Sequence, residues 1–380
     1  MNILIFYASY GGGHLSAANA IRQYIEKNYP EHNVHMIDCM KYINKGVEKI
    51  STDAYAFMAK DIPQAWGAVY TLSNNGPVFH ISNFNNKIMS FKLKELFDMY
   101  KPDLVISTHP FSTQMTAFLK ELKLTNCKLA SILTDFASQN QWLVGHKYTD
   151  YIFVSTNEMK QELIEKEIDA NKIYVTGIPL SPKFQQHFDR EKIEKNFNLD
   201  SSRKHILYFG GGKLGLGKTY NNEVLASFME NLGDDYDLVV ISGKNDRMYE
   251  YFSKEAKESK NSKFIHVLEF TDSVPELMSI SELVVTKPGG LTSTESLASG
   301  LPMVIINPIP GQEYENAKYL VENGVGIWIK KEDDANKIIK ELLQNKKKLH
   351  EMKLNAKFLA KRNSTKNICE ILLGRKQKES

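Results

Sequence analysis

The sequence predicts an α/β protein made of two doubly wound, Rossmann-like halves, and three observations carry that expectation. Short apolar runs alternate with longer amphipathic stretches from end to end, the βαβα order of a parallel sheet. The apolar runs lack period-two alternation, so helices should cover both of their faces. The opening device also recurs. The strand at 2–8 runs into Gly11, Gly12 and Gly13, the strand at 206–209 runs into Gly210, Gly211 and Gly212, and a helical stretch follows each time.

The first series of strands falls at 2–8, 34–37, 104–107, 129–133, 151–154 and 173–176, and the second at 206–209, 238–241, 264–268, 283–286 and 303–306. Ser155 with Glu158, Ser273 with Glu276 and Thr292 with Glu295 fit the capping box that opens a helix. Pro275 and Gly300 stand near expected helix ends. The 380 residues suffice for two domains. We place an N-terminal, acceptor-side domain at 1–180, a charged, core-poor linker at 181–203 and a C-terminal, donor-side domain at 204–363. The latter ends in polar helices over 331–363. Residues 364–380 form a last helix and a frayed tail, with the helix expected to pack back on the first domain.

Composition narrows the function. With 42% hydrophobic and 24% charged residues the chain reads as an ordinary globular protein. A formal charge of +3 is too weak a bias to argue for nucleic acid. Cys39, Cys127 and Cys369 are scattered and lack a CxxC pair, which disfavours both a disulfide framework and a zinc site. The apolar opening has neither the charged flank nor the cleavage site of a signal peptide, and is too short to span a bilayer. A cytoplasmic location follows as the expectation.

Four constellations carry chemistry. Gly12, Gly13 and His14 close the first βα turn, where glycine lets the backbone approach a ligand and a histidine can take a proton. Residues 212–219 match the GxxxxGK[ST] phosphate loop after a strand, so a nucleoside-triphosphatase is a competing expectation. Against it, the later strands end in LVVIS and LVVT, without the acidic tip that helps hold Mg²⁺. The stretch from Thr286 to Glu295 holds Lys287, Gly289 and Gly290 at a strand-to-helix junction, with three hydroxyls in the first helical turn, an anion cradle of free N–H groups, dipole and OH donors. Plain capping would need only Thr292 and Glu295. Gln312, Glu313 and Asn316 cluster at the next helix start, where amides and a carboxylate suit sugar hydroxyls.

Together YGGGH at 10–14, THP at 108–110, TDF at 134–136, TGIP at 176–179, SGKN at 242–245, TKPGGLTSTES at 286–296 and PIPGQEYENA at 308–317 resemble the diacylglycerol glycosyltransferases of glycosyltransferase family 28. These are the monogalactosyldiacylglycerol synthases and the processive diacylglycerol β-glucosyltransferases. The similarity runs from about residue 3 to about residue 365, and the pair KPGG…E and PGQE…N is its specific part. The resemblance implies a GT-B fold, inverting transfer, no essential metal and no cofactor. The donor, UDP-glucose or UDP-galactose, would lie on the second half. Gly290 and Thr292 would lie near its diphosphate, Glu295 on the ribose and Gln312, Glu313 and Asn316 on the sugar and diphosphate side. Backbone of 267–270 would hold uracil beside Gly243, and Gly211, Gly212, Lys287 and Gly289 would complete that side. Gln139 stands where the family usually carries a histidine between its TD motif and a tryptophan, here Trp142. Glutamine hydrogen-bonds but takes no proton near neutral pH.

Inverting transfer needs a base beside the acceptor hydroxyl. The candidates are Asp135 and His14, with His109 third, and Gly12, Gly13, Gln139 and Trp142 complete the acceptor side. The acceptor implied is diacylglycerol or its glycosylated form, the alternatives being a lipid-linked cell-wall precursor or a soluble product. A non-catalytic nucleotide-sugar-binding module is a further reading. Trp66, Tyr70, Phe79, Phe84, Phe91 and Phe97, interleaved with Lys60, Lys87, Lys92 and Lys94, suit an anionic membrane surface, hence peripheral attachment at the inner face of the cell membrane.

Overall fold

The structure, a computed structural model, describes residues 1–9, 12–43, 77–210 and 220–374, with the backbone alone at 77–88, 220 and 221. Strands β1 (Asn2–Tyr7), β2 (Asn33–Asp38), β3 (Leu104–Ser107), β4 (Lys128–Ile132), β5 (Tyr151–Val154) and β6 (Ile173–Val175) form one sheet, in the order β2-β1-β3-β4-β5-β6. Strands β7 (Lys204–Phe209), β8 (Tyr236–Ile241), β9 (Ile265–Leu268), β10 (Ser281–Thr286), β11 (Met303–Ile306) and β12 (Gly326–Ile329) form the other, in the order β12-β11-β10-β7-β8-β9. Every pairing is parallel. The order reverses between β1 and β3, and again between β7 and β10. Such switch points open a crevice beyond the carboxyl ends of the strands, where β1 and β7 both end.

In the first half the strands are joined by α1 (Gly13–Asn28), α2 (Cys39–Ile43), α3 (Pro77–Tyr100), α4 (Pro110–Glu121) and α5 (Asn157–Glu165). In the second come α6 (Arg190–Phe197) before β7, then α7 (Tyr220–Asn231), α8 (Asp246–Glu258), α9 (Val274–Ile280), α10 (Gly290–Ala298) and α11 (Gln312–Glu322). Helices α12 (Ala335–Gln344), α13 (Lys346–Leu359) and α14 (Ser364–Leu373) end the described chain. The central strands are buried along their length, as their unbroken apolar runs require. Strand β12 was not expected. Its GIWI run is short and stands alone after Gly324, and it supplies the sheet edge beside β11.

The three expected capping boxes do not form. Helix α5 is capped by Thr156, which accepts from Met159 N, while Ser155 donates to the Asp135 carbonyl at 2.8 Å. Ser273 stands at the cap of α9 without a side-chain bond, and α10 begins at Gly290, so Thr292 and Glu295 lie within the helix. The cap falls at Gly289, three residues earlier than the box assumed, so Glu295 is not spent on capping.

Residues 181–203 are better packed than their charge implied. Phe184, Ile193 and Leu199 are buried in one apolar cluster with Leu207, Val239 and Leu277 of the second half. Arg203 is buried too. Its guanidinium bonds Asp237 at 2.7 Å and the carbonyls of Gly233 and Asp234 at 2.8 Å, and stacks 3.4 Å over Phe264. The same cluster contains Ala17, Phe136, Ile178 and Leu180 from the first half, so apolar packing crosses the seam between the halves. Helix α14 lies on the first half: Ile368, Cys369 and Leu372 share a core with Ile3, Ile5, Ile21 and Ile25. Thr365 fastens it by accepting from Leu180 N and donating to Leu180 O, at 2.8 and 2.7 Å.

Candidate active site

The second half offers a cavity of about 380 Å³ at the carboxyl ends of β7, β8 and β10. Gly243, Lys287, Gly289, Thr292, Glu295 and Glu313 line it together with Phe270, so six of the donor-side candidates meet in one place. The first turn of α10 borders it through Gly289 and Thr292, and Gly289 at the cap has no side chain to satisfy the free N–H groups of that turn. Lys287 adds positive charge. Burial lowers its pKa and the Glu313 carboxylate opposes that shift. Burial raises the pKa of Glu313, partly offset by Lys287 and by the 2.7 Å bond that its Oε2 accepts from Ile309 N. Gly311, at φ 105° and ψ −123°, makes that return bond possible, since a side chain there would be strained. Burial raises Glu295 to about 7. Gln312 lies one residue before Glu313, and its buried Oε1 has no hydrogen-bond partner among the described residues.

Across the seam stand the candidates of the first half. His14, in the first turn of α1, bonds the Thr108 carbonyl through Nδ1 at 2.5 Å and reaches Thr134 Oγ1 at 3.2 Å. A carbonyl accepts only, so Nδ1 carries the proton and Nε2 keeps its lone pair. Desolvation lowers His14 to about 4, which leaves it neutral at physiological pH. His109 packs edge-on against it, ring centres 4.7 Å apart, and uses its own Nδ1 to cap α4 by accepting from Phe111 N at 3.2 Å. Asp135 follows β4. Burial raises its pKa, and the hydrogen bond from Asn316 opposes that shift. Gln139 donates to Asp135 Oδ2 at 3.3 Å, while Trp142 is buried in the core beside Leu133.

The halves meet beside Thr134 and Asp135. A Cβ on Gly290 would fall 1.9 Å from the Thr134 carbonyl oxygen, and one on Gly13 would fall 3.3 Å from Leu291. Asn316 is fully buried, and its amide is engaged with Asp135, Phe136 and Pro288 rather than turned to open space. Among the described residues nothing lies within 4 Å of a Cβ built on Gly12. Gly211, Gly212, the phosphate-loop match at 212–219, and Lys60, Trp66 and Tyr70 lie outside the described residues, as do the side chains of Phe79, Phe84 and Lys87. Phe97 is a core residue, whereas Phe91 is half exposed against Phe118. Among the described residues no group of three His, Cys, Asp or Glu could hold a metal ion, and no helix is long and apolar enough to cross a membrane.

Two facing Rossmann-like halves with a nucleotide-sized cavity under a helix N-terminus define a GT-B protein. Comparison with known proteins specifies the group. Residues 14–180 match the family "Monogalactosyldiacylglycerol (MGDG) synthase", and residues 208–370 match "Glycosyltransferase family 28 C-terminal domain". The chain is 30% identical to the processive diacylglycerol beta-glucosyltransferase of Staphylococcus epidermidis, over 98% of this chain and 92% of that one. It is 28% identical to the enzyme of the same name from Bacillus subtilis, over 98% and 94%. In fold it is similar to MurG of Acinetobacter baumannii, with a TM-score of 0.66 at 15% identity, covering 98% of this chain and 99% of that one. The chain belongs to the diacylglycerol glycosyltransferases of glycosyltransferase family 28. It is an enzyme of glycosyl transfer, and membership of that family sets the nucleoside-triphosphatase reading aside.

Proposed function

We propose that this enzyme transfers a hexose from a UDP-sugar to diacylglycerol or a glycosylated diacylglycerol, with inversion and without a metal. One observation carries the reading. Six residues expected to hold the donor converge on one cavity, and one of them, Glu313, interacts electrostatically with Asp135 of the other half. The diphosphate would rest on the N–H groups of α10 and beside Lys287, which offset the charge that develops as UDP departs. Glu295 would accept from the ribose hydroxyls, and the orphaned Oε1 of Gln312 from a sugar hydroxyl. Asp135 would take the proton from the acceptor hydroxyl as its oxygen attacks the anomeric carbon. His14, neutral and fixed in one tautomer, stands one hydrogen bond from Thr134 and would orient that hydroxyl or share its proton.

The test is UDP release with UDP-glucose and with UDP-galactose, each with and without diacylglycerol in mixed micelles, with EDTA throughout. Lipid-dependent release with one sugar is expected. UDP binding without lipid-dependent release would point to another acceptor. We further propose peripheral attachment to an anionic membrane, supported by the half-exposed Phe91 on α3 and the lysines near it. Flotation with anionic vesicles should recover the protein at low salt, and no recovery would remove that reading.

A further inference from the structure

We infer that Asn316 is a positioning residue that locks the donor-binding half onto Asp135, so that the base is set only when the halves are closed. The inference rests on the glycosyl-transfer reading above and adds to it. The residue had been expected on the sugar and diphosphate side, yet its amide is spent elsewhere. Nδ2 donates to Asp135 Oδ1 and to the Pro288 carbonyl, both at 3.0 Å, and Oδ1 accepts from Phe136 N at 2.8 Å. Two of these partners, Asp135 and Phe136, belong to the first half. Pro288 belongs to the loop that precedes the diphosphate cradle.

A side-chain amide has two donors and one carbonyl oxygen. Both donor hydrogens are used here, and the oxygen holds a backbone N–H. Asn316 is fully buried, so each bond broken leaves a desolvated group behind. Gly290 makes the same seam from the preceding helix, where only a hydrogen fits against the Thr134 carbonyl. Residues 134–136 are thus gripped from two elements of the other half, α10 and α11. Opening the halves would release the Asp135 carboxylate from Asn316 and leave it with Gln139. The titratable groups facing Asp135 are Glu313 on α11, with Lys287 beside it, and His14 on α1 through Thr134. Of the bonds to the carboxylate, the one from Asn316 opposes the upward pull of burial.

The experiment uses the full chain with Asn316→Ala and Asn316→Asp. UDP affinity is measured by calorimetry, turnover across pH, and amide exchange of Phe136 in the UDP-bound protein. The expected result is UDP affinity within about threefold of the parent and turnover lower by about tenfold or more. The acidic limb of the pH profile moves to higher pH, further for Asp, which sets a second carboxylate beside the first. Asn316→Ala also speeds exchange at Phe136, because its acceptor is gone. A loss of UDP affinity that matches the loss of turnover, with the acidic limb in place, would make Asn316 a donor ligand and overturn the inference. If Asn316→Ala does not fold, the isosteric Asn316→Asp decides by its acidic limb. If the parent transfers nothing to diacylglycerol, the acceptor reading fails alone. Exchange at Phe136 then decides, and unchanged protection overturns the inference.

Discussion

At the scale of single residues the site is a set of ionisable groups moved from their ordinary values by burial. Asp135→Asn keeps the bond from Asn316 but removes the proposed proton acceptor. Turnover should fall by about 10²–10⁴ with UDP binding retained, and single-turnover kinetics would check it. Glu295 gives a pH signature of its own. Its carboxyl stands at about 7 in the folded protein, against an ordinary 4.5, so the fold binds that proton more tightly than the unfolded chain does. Its contribution to stability is complete below about pH 4.5 and is lost as the pH rises through about 7. Thermal unfolding of the UDP-free protein between pH 5 and 8 should therefore decline more steeply in the parent than in Glu295→Gln. UDP should release a proton on binding near pH 6.5, if ribose hydroxyls donate to Glu295. Calorimetry in buffers of different ionisation enthalpy reads that proton directly.

At the scale of elements, the closest approach lies at the start of α10. Gly290→Ala would drive a methyl into the Thr134 carbonyl and displace Asp135 with it. A misplacement of about 1 Å costs on the order of a hundredfold in rate, so turnover should drop far more than UDP affinity, and paired kinetics and calorimetry would show the split. Elements also show what a sequence discloses. Strands with unbroken apolar runs, such as LVIS and MVII, were legible because both faces are buried and no alternation competes with the pattern. Strand β12 was not, since four residues at a sheet edge look like any apolar tetrapeptide. The capping motifs misled for a physical reason. A serine or threonine followed three residues on by glutamate is equally the composition of a helix's first turn, and only backbone geometry tells the two apart. The residues expected on the donor side came from their types and from the family resemblance, and six of them line one cavity. The engagement of Asn316 was not, because Asp135 lies 181 residues away along the chain.

At the scale of the whole molecule, the two halves are joined twice, through 178–203 and again before α14. The first crossing is anchored by Arg203, whose guanidinium is buried against Asp237. Arg203→Ala leaves that carboxylate buried with a poorer set of partners and should cost about 3–5 kcal/mol, measurable by urea unfolding. The second crossing carries α14 back to the first half, where Ile368, Cys369 and Leu372 close a wall of its core. On the ribosome this has a plain consequence in time. The half that emerges first is the last to be completed. Between Leu180 and the arrival of Thr365, translation at ~5–20 residues per second leaves its apolar wall uncovered for roughly 10–40 s. A nascent chain stalled before Ser364 should therefore be bound by chaperones that release the finished protein.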